Sequence, residues 1–67
     1  MNKALLKSKM VAFGDTNTDI AQYLKISDTS FSYKLNGKSD FSRSEIAKIK
    51  NRYSLTADDI DNIFFSD

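Results

Sequence analysis

Four times in this chain a Ser or Thr stands where a helix has to begin, and the residues around it repeat. Thr16, Ser27, Ser42 and Thr56 are each placed to accept a hydrogen bond from one of the backbone N–H groups that a helix start leaves unpaired. Asp19, Glu45 and Asp59 follow three positions after Thr16, Ser42 and Thr56. Each is the reach-back acid of a capping box, with Asp a shorter stand-in for Glu. Three of the starts also carry the two apolar residues of a hydrophobic staple: Ile26 with Phe31, Phe41 with Ile46, Leu55 with Ile60. Proline is absent and glycine occurs only at 14 and 37. These signals divide the chain into five short helices, at about 2–12, 17–24, 28–36, 43–53 and 57–65. The expectation is a single all-α domain over residues 1–67, with Ser66 and Asp67 as a frayed end. A domain this small buries only about 60% of its unfolded surface, so its stability is marginal.

Apolar spacing names the faces these helices bury. The first presents Leu6, Met10 and Phe13, with Leu5 beside them; the fourth presents Ile46, Ile49 and Tyr53, and the fifth Ile60, Ile63 and Phe64. Between them, residues 17–37 read as two short helices joined by a tight turn. Ile20, Ala21 and Leu24 form the first apolar face, Lys25, Ile26 and Ser27 interrupt it, and Phe31 and Leu35 resume it before Asn36 and Gly37 end the helix. The small Ala21 lets the second helix cross the first closely. That spacing fits a DNA-binding helix-turn-helix, and a plain helical hairpin shares it.

Composition narrows the chemistry. With neither Cys nor His in the sequence, disulfides and the usual zinc sites are excluded. An enzyme is not expected, since no base or nucleophile of the usual kind, phosphate loop or paired carboxylates can be recognised. Asp58, Asp59 and Asp61 read as helix N-terminal charge rather than a cation site, so no metal or cofactor is implied. No stretch approaches the roughly 20 apolar residues that cross a bilayer. Lys3, Lys7 and Lys9 lie on the other sides of a core-packing first helix, with no aromatic belt to suggest membrane contact. The formal net charge is only +1, but it is unevenly spread. Residues 1–57 hold all ten Lys/Arg against five acids, and the last ten residues hold four acids and no base. A basic body with an acidic end suits one face laid on phosphate, and suits a mixed solvated surface as well.

The run TNTDIAQYLKISDTSFSYKLNGK resembles the helix-turn-helix of the lambdoid phage repressor and Cro family, also called XRE-type. Its matching features are a polar residue opening the second helix (Asn17), the pair Ile20-Ala21, the apolar Leu24, Ile26 and Phe31, and the ending Asn36-Gly37 followed by Lys38. DFSRSEIAKI and LTADDIDNIFF look like helices 4 and 5 of short phage-borne members, so the likeness covers nearly the whole chain. No sensing or self-cleaving domain follows, which suggests a minimal Cro-type regulator. Two positions depart from the family. Lys25 stands where Gly is frequent, and costs roughly 1–2 kcal/mol if it must be left-handed, unless the turn differs. Lys34 and Leu35 stand where many members have an apolar residue and then Glu, which shifts the buried stripe.

The resemblance implies a compact five-helix, lambda-repressor-like domain with helices 2 and 3 as the DNA-binding pair. It implies a transcriptional regulator in a bacterial cytoplasm, at the nucleoid, reading a palindromic operator in double-stranded DNA as a homodimer. By this likeness Asp28, Thr29, Ser32 and Tyr33 on the third helix face base edges. Asp28 has two readings, an acceptor for a cytosine amino group or favourable charge at a helix N-terminus. No bidentate Arg, Asn or Gln stands among the four, so DNA shape carries part of the specificity. Phosphate contacts fall to Asn17, Asn36, Lys38 and Arg43, with Lys34 able to swing to the backbone and the N–H groups opening helix 2 as an added anion site. Phe64 and Phe65, about 100° apart on a helix, cannot both face the core, so one of them marks the dimer surface. The alternative is a protein-interaction module, an antirepressor that engages a phage repressor instead of DNA.

Overall fold

The computed structural model describes residues 1–65. Five helices succeed one another: α1 (Lys3–Phe13), α2 (Asn17–Leu24), α3 (Asp28–Leu35), α4 (Arg43–Tyr53) and α5 (Ala57–Phe64), with no strand among the described residues. The expected frayed end, Ser66 and Asp67, lies outside them. Thr16, Ser27, Ser42 and Thr56 all cap as their sequence positions demand. The boxes of Thr16 with Asp19, Ser42 with Glu45 and Thr56 with Asp59 are closed in both directions. Asn2 caps α1 in the same way, its side chain accepting from the Leu5 N–H, and its own N–H donates to the Ile63 carbonyl at 2.7 Å.

The first four helices also end alike. In each, a left-handed residue lets the following N–H reach back five positions: Asp15 to Met10, Ile26 to Ala21, Lys38 to Tyr33 and Leu55 to Lys50. This closure satisfies carbonyls that the helix end would leave unpaired. Glycine supplies the left-handed residue at 14 and 37, but Lys25 (φ 60°) and Ser54 (φ 52°) supply it at the other two ends. Of the two alternatives open for Lys25, the left-handed conformation is the one adopted, with its strain. Lys25→Gly is expected to raise the unfolding free energy by about 0.5–1 kcal/mol, the left-handed penalty less glycine's larger unfolded-state entropy. A urea titration followed by helical circular dichroism measures it.

One core joins all five helices. Leu6, Met10, Ile20, Ala21, Leu24, Phe31, Leu35, Ile49, Leu55 and Ile63 are buried, with Leu5, Ile26, Phe41, Tyr53, Ile60 and Phe64 packed around them. α2 and α3 pack on each other with Ala21 fully buried, and α1 lies against α4 and α5. Two expected core positions are corrected. Phe13 is 55% exposed because it is the last residue of α1 and projects past the core, where its ring meets the edge of Tyr53. Ile46 is only half-buried; the neighbouring Glu45 takes the inward position on α4, and Ile46 lines a surface groove instead.

An ion pair absent from the apolar pattern joins the α1–α2 connection to the last turn of α4. Asp15, in the α1–α2 connection, accepts Arg52 Nε at 2.6 Å and Nη2 at 2.8 Å, and the Tyr53 hydroxyl at 2.6 Å. Its side chain is 5% exposed. The guanidinium lies over the rings of Phe13 and Tyr23, 5.0 and 4.6 Å from their centroids. Hydrogen bonding from Arg52 holds the Asp15 carboxyl below the usual carboxylate range against the opposing effect of burial, and Tyr53 adds to it. Burial, with the Asp15 charge beside it, pushes the Tyr53 phenol well above its ordinary value.

Candidate nucleic-acid interface

α3 has two unlike sides because its apolar residues are four apart. Phe31 and Leu35 enter the core, and Thr29 and Tyr33 stand exposed on the other side, with Ser32 half-buried beside them. Tyr33 is 51% exposed, and the Lys38 ammonium sits 5.5 Å from its ring centroid, which holds a cation beside this face. Asp28, at the first position of α3, is engaged from α2: the Thr18 hydroxyl donates to its Oδ2 at 2.8 Å. The carboxylate thus ties the two helices at the positive end of α3, which accords with the helix-terminus reading of this residue.

The basic and amide groups around α3 divide into held and open. Lys34 does not swing outward. Its ammonium sits between both oxygens of Glu45, at 2.6 and 2.8 Å, with its side chain only 18% exposed. It brackets α3 to α4, and reaching a phosphate would leave Glu45, itself 8% exposed, without its cation. Burial opposes the ionised form of Glu45, but hydrogen bonds from Lys34 and from the Ser42 N–H and hydroxyl outweigh it and lower the pKa. Asn36, just past α3, donates its amide nitrogen to the Ser32 carbonyl at 2.9 Å and accepts Lys3 Nζ on its amide oxygen at 2.7 Å. Asn17, the first residue of α2, accepts Lys7 Nζ at 2.8 Å. Lys38 and Arg43 are exposed, in the α3–α4 connection and at the start of α4. Sequence reasoning misses the two α1 lysines as part of this surface. Their four-residue spacing is the available signal, but nothing in the sequence shows which helix they reach.

The C-terminal aromatics separate as their 100° offset requires. Phe64 is half-buried, its ring edge-on to Phe41 at 5.5 Å, and Phe65 is 66% exposed. Both border a groove of about 470 Å³ whose other apolar walls are Met1, Phe41 and Ile46. Among the described residues there is no cluster of three or more acids able to hold a metal ion, and no helix is long and apolar enough to cross a membrane.

What these elements define is a small domain of five helices with one polar, cation-flanked face on α3. Residues 3–67 match the family described as Protein of unknown function (DUF739), and the chain belongs to that family. No curated protein and no solved structure matches it.

Proposed function

We propose that the chain is a sequence-specific DNA-binding transcriptional regulator, a Cro-like helix-turn-helix protein that reads a palindromic operator with α3 in the major groove. The observation that carries this reading is the two-sidedness of α3: Phe31 and Leu35 anchor it in the core, and Thr29 and Tyr33 stand exposed on the opposite side. A Thr hydroxyl can donate to or accept from a base edge and its methyl can pack on thymine, and Tyr33 brings a hydroxyl on an aromatic edge. Ser32 stands beside them, and the exposed Lys38 and Arg43 supply phosphate partners that fix register. Asp28 and Lys34 act within the fold in this reading, because Thr18 and Glu45 hold them.

One such helix reads few base pairs, so the regulator acts as a twofold dimer. Phe65, exposed and bordering the groove that Phe41 and Phe64 also line, is the contact proposed for the second copy. The test is selection of the purified protein against a random duplex pool at physiological salt. The expected result is enrichment of a twofold-symmetric sequence. Thr29→Ala and Tyr33→Ala should each relax the preference at their own base positions, by about 1 kcal/mol apiece, the worth of a single hydrogen bond. Phe65→Ala should leave half-site binding in place and shift the monomer–dimer equilibrium in sedimentation. Absence of any enriched sequence overturns the proposal and transfers the exposed α3 face to a protein partner such as a phage repressor.

A further inference from the structure

α3 presents no free cation of its own. Its one lysine, Lys34, is neutralised by Glu45, and its first residue is the anionic Asp28. The positive charge that a DNA backbone requires must then come from around α3. Arg52 and Lys9 are paired with the carboxylates of Asp15, in the α1–α2 connection, and Asp59, on α5. Lys3 and Lys7 differ from these. Four residues apart, they stand on one side of α1 about 6 Å apart along its axis. Each folds its ammonium onto a neutral amide oxygen: Lys3 onto Asn36 after α3, Lys7 onto Asn17 at the start of α2. A neutral acceptor fixes the position of an ammonium without cancelling its charge. An ammonium has three donors, so each retains two for another ligand.

From this we infer that α1 is the third element of the DNA interface, with Lys3 and Lys7 contacting backbone phosphates and Asn36 and Asn17 as the residues that position them. The inference rests on the DNA-binding reading above, and it redistributes the roles that the family likeness gives to the asparagines. Asn36 gives its amide nitrogen to the Ser32 carbonyl and hydroxyl, at 2.9 and 3.4 Å, and its oxygen to Lys3, so Lys3, beside the exposed Lys38, supplies open donors at that end. At the other end Asn17 holds Lys7 beside the opening turn of α2. The pair of helices that reads sequence is thereby flanked at the start of α2 and the end of α3 by one pre-placed cation each, both from α1. Lys9, about 200° round from Lys7, turns instead to Asp59 and takes no part.

The experiment compares wild type with Lys3→Gln, Lys7→Gln and Lys50→Gln, the last an exposed lysine in the final turn of α4, away from Arg43. Glutamine retains an N–H donor for the asparagine oxygen and removes the charge. Affinity is measured over a range of salt for two fluorescent duplexes, one of the selected sequence and one of mixed sequence. For a dimer, each α1 substitution removes two phosphate contacts, so the slope of log affinity against log salt should become shallower by about 2 on both duplexes. Lys3→Arg and Lys7→Arg should restore the wild-type slope, and Lys50→Gln should not change it. A role in holding the fold alone would lower affinity or melting temperature at an unchanged slope. If wild type binds DNA with a salt-dependent affinity and the two α1 variants keep its slope, the inference is overturned and the DNA-binding reading stands. If wild type binds neither duplex, the reading falls and the inference with it.

Discussion

Asp15→Ala is expected to remove about 3 kcal/mol of folding free energy, most of what a domain of this size has. The side chain contributes no apolar burial, so the loss comes from what it leaves behind. Arg52, pressed between Phe13 and Tyr23, would lose both hydrogen bonds of a charge-assisted pair, and the Tyr53 hydroxyl would lose its acceptor. Asp15→Asn retains an oxygen for one of these donors and gives up the charge, so it should cost less, about 1–2 kcal/mol. Urea unfolding of the two variants, read by helical circular dichroism, decides the matter. Equal losses would mean that the charge contributes nearly all of the effect and the retained shape and oxygen little. The pH dependence follows from the same pair. The folded-state pKa of Asp15 is lowered, so the native state binds that proton less readily than the unfolded chain. Its stabilisation is present in full above the unfolded carboxylate pKa, near 4, and is lost as pH falls through the lower folded value. Stability should therefore hold level down to about pH 5 and decline below it, less steeply in Asp15→Asn.

Glu45→Ala is the second large effect, also about 3 kcal/mol. One carboxylate there serves two purposes. Its Oε1 accepts the Ser42 N–H at 2.7 Å, closing the cap of α4, and both oxygens hold Lys34 on α3. Alanine opens the cap, worth about 1 kcal/mol, and leaves a mostly buried ammonium without a counter-charge, worth about 1.5–3 kcal/mol. Glu45→Gln preserves the acceptor and isolates the charge. A double-mutant cycle with Lys34→Met should give a coupling energy above about 1 kcal/mol, and a coupling near zero would reduce the pair to a surface contact. Because Glu45 also has a lowered pKa, its contribution too is lost in acid, as pH falls through its lowered folded-state value.

Both effects arise at places the sequence marks only in part. Glu45 is legible as a capping acid from its distance to Ser42, but its hold on Lys34 spans eleven residues and depends on how α3 meets α4. Asp15 is legible only as a turn residue and one negative charge. Its partners Arg52 and Tyr53 lie more than 35 residues away, a separation at which no local periodicity operates. The same holds for the cation-flanked face. Thr29 and Tyr33 follow from the four-residue spacing of Phe31 and Leu35, since a helix with one side anchored must turn the other outward. That Lys3 and Lys7 reach Asn36 and Asn17 follows from the packing of a different helix.

The sequence by itself determined the helices, their starts and most of their inward residues. These depend on contacts within a turn or two: a hydroxyl three residues from the N–H it caps, apolar residues three or four apart. Only the tertiary structure decided which charges are neutralised and which stay open, because an ion pair forms between whichever side chains the packed helices bring within reach. It also decided that Lys25 and Ser54 take the left-handed conformation. The core fixes where α2 and α4 must stop, and two non-glycine residues adopt the strained backbone that this stop requires.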